Sequence, residues 1–279
     1  MLTSLVARRL AAFALVASVA APAAAHAEAP ADEQGISFVV LRENATGSAS
    51  AAQSYIDQLI VAIAKSVGWD KASGKYVTRR SAAERFIGET SPQFGIVSLS
   101  AYLALKAKHK FTALGMADIQ NGGGHQFFVV SKEQVSLSSC KGKTLGTNHS
   151  DATFIDKVVS GDDFDLADFK VEDTRRPVKT LKSVIDGDVD CAFIDDAQLM
   201  ELQHLDGGLD VHPVWSSEAL PPMVVVALPT AEASASKAFK ASLNDLCTKE
   251  GKAACEATSM HLVSADDSTF AKYAKAYGG

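Results

Sequence analysis

Residues 142–159 read Gly-Lys-Thr-Leu-Gly-Thr-Asn-His-Ser-Asp-Ala-Thr-Phe-Ile-Asp-Lys-Val-Val, and their types and spacing suit anion chemistry. Residues 144–147 read as a short strand, 148–151 as a polar turn, and a helix then opens with Ser150 or Asp151 as its cap. A strand feeding a helix N-terminus presents unpaired backbone N–H groups and the positive end of the helix dipole. Ser150 and Thr153 add hydroxyl donors, and Asn148 and His149 are candidate cleft-facing partners. His149 would be about half-protonated near its ordinary pKa of about 6.5, which makes a pH-sensitive contact conceivable. A second segment, 183–195, reads as a helix end, a turn and a strand finishing on Asp195. Asp195 ends that strand on the cleft side and can cap the segment 197–202.

Other candidates follow other strands. Ligands of open α/β sheets bind beyond the carboxyl ends of strands. That places Ser98, Ser100 and Tyr102 after the strand 94–99, and Arg42, Glu43 and Asn44 on the loop after the strand 36–41. Arg175 and Arg176 follow a strand at 169–171, and a guanidinium grips carboxylate or phosphate with two parallel bonds. Gly122, Gly123 and Gly124 form a hinge or a surface turn. Gly142-Lys143-Thr144 resembles the end of a nucleotide phosphate loop, but Leu137 stands where that loop needs glycine. The histidines are scattered without metal-ligand spacing, so no metal or other cofactor is expected.

The elements that position these residues alternate. Strands at 36–41, 75–79 and 94–99 are separated by helices at 51–67 and 82–87, with a further helix at 102–107. In the first long helix Tyr55, Leu59, Ile60, Ile63 and Val67 recur at helical spacing. This rhythm implies a parallel sheet with helices on its faces. Two further apolar strands, 126–130 and 223–228, bracket an α/β stretch with strands near 144, 170 and 189, and a helical tail runs from 231 to 277. Two lobes joined by two crossing strands account for all of this; a single continuous sheet is the competing arrangement. The expected division is an export signal at 1–27, a leader at 28–35, a first lobe at 36–126, a second at 127–222, and a return strand and tail at 223–279.

Composition narrows the function class. Arg8 and Arg9 precede a short apolar run, and Ala25-His26-Ala27 fits a small-residue cleavage site, as in a cleavable export signal. Lys and Arg total 27 against 33 Asp and Glu, a net charge of -6. Losing the two signal arginines leaves 25 against 33, or -8, which argues against nucleic acid as a partner. Export and an even cysteine count favour disulfides. Cys247 and Cys255 could staple a helix-turn-helix, and Cys140 and Cys191 could bridge neighbouring elements of one lobe.

With these elements in order, the chain resembles the substrate-binding proteins of ABC importers, in the phosphate/phosphite/phosphonate branch of the type 2 periplasmic binding fold. The matching pieces are Phe94-Gly-Ile-Val-Ser-Leu-Ser-Ala-Tyr102, the crossover 126–130, Cys140-Lys-Gly-Lys-Thr-Leu-Gly146, the segment 183–195 and Pro221-Pro-Met-Val-Val-Val226. The resemblance implies a periplasmic, monomeric receptor. It would close two lobes on a small anionic solute and deliver it to an ABC permease in the inner membrane. It also implies that a hydroxyl-rich helix N-terminus, here Ser150 and Thr153, holds the solute oxygens, that Tyr102 contributes, and that Asp195 accepts from a protonated ligand group. Asp151 departs from the pattern: a small neutral residue is expected there, and a carboxylate repels a dianion. A sensory or scaffold protein on the same fold and a cleft enzyme are the rival classes. An enzyme needs a nucleophile beside a base, and His149 and Ser150 are such a pair only in sequence.

Overall fold

The structure, a computed structural model, describes residues 35–45, 49–120 and 122–278. The export signal and the leader up to Gln34 lie outside the described residues. Two sheets carry the fold. The first contains β1 (Ile36–Leu41), β2 (Ala72–Val77), β3 (Phe94–Ser98), β4 (Thr112–Ile119), β10 (Met223–Ala227) and β11 (Met260–Ser264), in the order β11-β4-β10-β3-β1-β2. The second contains β5 (Phe127–Ser131), β6 (Thr144–Thr147), β7 (Lys170–Asp173), β8 (Cys191–Asp195) and β9 (His212–Ser216), in the order β7-β6-β8-β5-β9. Four strands of each sheet point one way. Only β10 and β11 in the first and β5 in the second run against them. The chain passes between sheets at 120–126 and returns at 217–222, so β5 and β10 each lie within a sheet, next to a crossing. The crossings are tied together: Leu220 N–H donates to the His125 carbonyl at 2.7 Å.

Helices cover both faces. They are α1 (Ala49–Val67), α2 (Arg80–Thr90), α3 (Leu99–His109), α4 (Leu137–Cys140), α5 (Ala152–Phe154), α6 (Pro177–Asp186), α7 (Asp196–Leu202), α8 (Ala233–Leu246), α9 (Lys252–Thr258) and α10 (Ala271–Tyr277). The alternation in β1 shows how the sheet is buried on both sides. Phe38 and Val40 pack with Leu59, Ile60 and Ile63 of α1, whereas Val39 and Leu41 pack with Val97 and Leu99 on the other face. On α1 the buried stripe runs through Ile56, Leu59, Ile60 and Ile63, and Tyr55 is exposed. None of the helices among the described residues is long and apolar enough to cross a membrane.

Three strands depart from the sequence expectation. The tail 231–277 is interrupted by β11, and neither β4 nor β9 was anticipated. β4, Thr-Ala-Leu-Gly-Met-Ala-Asp-Ile, is diluted by small residues because its neighbours press close. A Cβ on Gly115 would lie 2.5 Å from the Val263 carbonyl and from the Leu243 side chain. β9 carries a proline, which weakens a strand signal, and sits at a sheet edge where proline is tolerated. Both expected disulfides are present: Cys140–Cys191 ties the end of α4 to β8, and Cys247–Cys255 ties the end of α8 to α9.

α10 rests on α3 of the first lobe and on the turn 155–159 of the second. That turn is π-helical, with Ser160 N–H donating to the Ile155 carbonyl at 2.8 Å. A contiguous apolar cluster therefore runs from Val97 and Tyr102 through Phe270 and Tyr273 to Phe154 and Phe193.

Candidate functional site

The carboxyl ends of β1, β3, β6 and β8 face one another across a cavity of about 700 Å³. The first lobe contributes Arg42, Glu43 and Asn44 after β1, Arg79, Arg80 and Ser81 at the start of α2, and Ser98 and Ser100 at the start of α3. From the second come His149, Ser150, Asp151 and Thr153 after β6, together with Arg175 and Asp195.

Helix N-termini converge on this cavity in two states. Three are satisfied by side chains: Ser98 accepts from Ala101 N–H, Asp151 from Phe154 N–H, and Asp195 from Gln198 N–H. α2 and α6 have no side-chain cap; in α2 Ala82 N–H already donates to the Arg79 carbonyl at 3.0 Å, which leaves the Arg80 and Ser81 N–H groups, and α6 opens with Pro177, which has no N–H. Of the two caps considered for the 150s helix, Asp151 takes the role, and Ser150 is left exposed beside exposed Thr153. Neither hydroxyl donates to a described residue.

Arg80 is the hub of the cleft. Its Nε and Nη2 donate to the two carboxylate oxygens of Glu43 at 3.0 and 2.9 Å, and Nη2 also reaches Ser100 Oγ and Asp151 Oδ2, each at 2.9 Å. Ser98 donates to Glu43 at 3.2 Å, Ser100 to Asp151 at 3.1 Å, and the Tyr277 hydroxyl to Asp151 at 3.0 Å. Burial opposes the charge on Arg80, but the two carboxylates outweigh it and its pKa is raised. Sequence reasoning singled out neither Arg80 nor Tyr277. Arg80 was hidden at a strand-to-helix junction, and nothing local marks Tyr277, two residues before Gly279, as a partner of Asp151.

His149 makes the second contact across the cleft. Its Nδ1 lies 3.0 Å from Asn44 Nδ2 and its Nε2 3.0 Å from Gln198 Oε1. These partners fit a neutral ring protonated on Nε2. Phe127 and Phe193 flank it with their rings nearly perpendicular to its own. Burial lowers its pKa to about 4 against the pull of Gln198, which corrects the expectation of half-protonation near neutral pH. Asp195 moves the other way. Burial raises its pKa to about 7, with the Gln198 backbone and Arg42 opposing and Asp196 adding to the rise.

Two expected ligand residues lie elsewhere. Tyr102 is fully buried, donates to Asp267 at 2.6 Å and packs on Phe270, so it braces α3 against the tail rather than facing the cleft. Asn148 sits behind the cleft wall, where its Oδ1 accepts from Thr180 and Gln198 at 2.9 and 3.0 Å. Its Nδ2 is buried without a partner among the described residues. Arg175 lines the cavity at positive φ, with most of its side chain exposed. Glu43, Asn44, Ser98, Ser100, His149, Ser150, Thr153 and Asp195 are brought together as lining residues.

Solved structures share this architecture at low identity. XAC2383 from Xanthomonas citri, bound to chloride, aligns with a TM-score of 0.64 at 13% identity, over 86% of this chain and 96% of that one. PhnD1 from Prochlorococcus marinus, in complex with methylphosphonate, gives 0.63 at 12%, over 87% and 94%. A binding protein component of an ABC phosphonate transporter from Pseudomonas aeruginosa gives 0.60 at 11%, over 84% and 83%. No curated protein sequence matches the chain. The family model for the periplasmic substrate-binding proteins of ABC phosphonate transporters matches residues 43–270, and the chain belongs to that family.

Proposed function

We propose that this ABC-importer receptor captures a small oxyanion of the phosphonate and phosphate class in the cleft between its lobes. The observation that carries the reading is the uncapped N-terminus of α2. The N–H groups of Arg80 and Ser81 there have no side-chain cap, and Arg79, Arg80 and Ser81 line the same cavity as Ser150, Thr153 and Arg175. An oxyanion there exchanges its water for N–H, hydroxyl and guanidinium donors from both lobes, and contact with both favours the closed state. Segments 36–126 and 223–279 move as one lobe and 127–222 as the other, with Gly123 and Gly124, both at positive φ, absorbing the rotation. The receptor works as a monomer in the periplasm after loss of residues 1–27 and hands its solute to an inner-membrane permease. Its role is solute capture, and His149, with both ring nitrogens engaged by Asn44 and Gln198, is not available as a base for Ser150.

The test is calorimetric titration of the mature chain, stripped of any carried solute by unfolding and refolding. Phosphate, phosphite, methylphosphonate, alkyl sulfonates and carboxylates serve as titrants. Saturable uptake of a phosphorus oxyanion is expected; heat from none of these compounds would overturn the reading.

A further inference from the structure

Asp151 is bonded as a captured solute would be. Its Oδ2 accepts from Arg80 Nη2 at 2.9 Å, from Ser100 Oγ at 3.1 Å and from the Tyr277 hydroxyl at 3.0 Å. The first two donors belong to the first lobe and the third to α10, whereas Asp151 itself belongs to the second lobe. Its other oxygen accepts from Phe154 N–H at 3.0 Å, so the cap fixes the carboxylate in place. Both sides of the ion pair are largely withdrawn from water, with side-chain exposures of 26% for Arg80 and 13% for Asp151. Glu43 accepts from Arg80 Nε and Nη2, and the triad Glu43, Arg80 and Asp151 carries one net negative charge before any solute arrives. An oxyanion bound to Arg80 alongside Asp151 adds to that charge at close range in a half-buried site.

We propose that Asp151 is an affinity- and specificity-determining residue of the cleft. Its carboxylate occupies Arg80, Ser100 and Tyr277 in place of a solute, holds the lobes together without one, and is displaced when an oxyanion binds. The displacement part of this proposal rests on the oxyanion reading above. Solutes that can take over three donors at once compete well. A compact halide or a single carboxylate gains little over the group already there.

Asp151→Asn tests this with the fold preserved, because asparagine keeps the size and the cap to Phe154 N–H while removing the charge. Calorimetry with inorganic phosphate and methylphosphonate should show the variant binding about tenfold or more tightly than wild type, as loss of a like charge requires. Adding Arg80→Gln should abolish that gain. Small-angle scattering without solute should show wild type compact and Asp151→Asn expanded. Methylphosphonate should contract the variant and leave wild type unchanged. Equal or weaker binding by Asp151→Asn overturns the proposal, as do superimposable solute-free scattering curves. If neither protein takes up any oxyanion, the proposed ligand class and the displacement fall. Asp151 as an internal latch is then judged by scattering alone, and expansion of the variant upholds it.

Discussion

The opposed pKa changes of Asp195 and His149 make a quantitative prediction about stability against pH. Asp195 rises from 3.8 to about 7 on folding, so the native state holds a proton that the unfolded chain has released. Its contribution is fully present below pH 3.8 and is lost as pH rises through 7. His149 falls from 6.5 to about 4, so its contribution is present above pH 6.5 and is lost as pH falls through 4. At about 1.4 kcal/mol per tenfold change in proton affinity, the two amount to about 4 kcal/mol for Asp195 and about 3 kcal/mol for His149, with opposite sign. In wild type they nearly cancel between pH 7 and 4. In Asp195→Asn the His149 loss is unmasked, and stability relative to wild type should drop by about 4 kcal/mol on going from pH 7 to 4. In His149→Gln the reverse holds, a relative gain of about 3 kcal/mol over the same range. Guanidinium unfolding at a series of pH values measures this. The two tryptophans report the lobes separately, Trp69 stacked on Phe94 in the first and Trp215 against Phe164 in the second. Subtracting wild type removes the other carboxylates that titrate in this range. Parallel curves for Asp195→Asn and wild type would refute burial as the control on Asp195.

Other perturbations separate structural from solute-facing roles. Cys140–Cys191 closes a sequence separation of 51 and Cys247–Cys255 one of 8, so alanine at both ends should cost about 4 kcal/mol for the first and about 2.5 kcal/mol for the second in oxidised chemical denaturation. Gly124→Ala, whose Cβ would meet only the Pro222 carbonyl at an ordinary 3.8 Å, should cost only the positive-φ penalty of about 1 kcal/mol. Gly123→Ala should cost about twice that, because its Cβ would lie 2.5 Å from Asp195 Oδ2, and equal losses would show that this contact relaxes freely. Tyr102→Phe should lose about 1.5 kcal/mol of stability through its bond to Asp267, with solute affinity unchanged in calorimetry. Ser150→Ala should do the opposite, keeping stability and weakening oxyanion binding by about fivefold, the worth of one hydrogen bond.

What was legible in the sequence follows from what is locally encoded. β1 could be read to the residue because a strand buried on both faces must be apolar throughout, and Ile36 to Leu41 nearly is. Both cysteine pairs were legible from their placement relative to the elements. β4 and β11 were not. β11 alternates only weakly over five residues, and the composition of β4 is dictated by the close approach of Val263 and Leu243, neighbours far along the chain. Tyr102 was misplaced for a related reason. It follows a strand end that does face the cleft, but one helical turn past the cap swings its side chain toward Phe270 and Asp267.

The cleft shows the same division at the level of charge. A carboxylate at Asp151 could be seen to conflict with an anion site, but its resolution could not, because the resolving groups come from three distant places. Arg80 is 71 residues away, Ser100 is 51 away, and Tyr277 is 126 away. Sequence alone treats Asp151 as a repulsion added to an empty site. In the folded chain it belongs to a site already occupied from within, where Arg80 meets two carboxylates before any solute does. A ligand shifts a two-state equilibrium only by its difference in affinity for the two states. If Asp151 already joins the lobes, a solute gains only the surplus of its own contacts over those it displaces. Affinity in this cleft then depends as much on the bond between Asp151 and Arg80 as on the donors that face the solute.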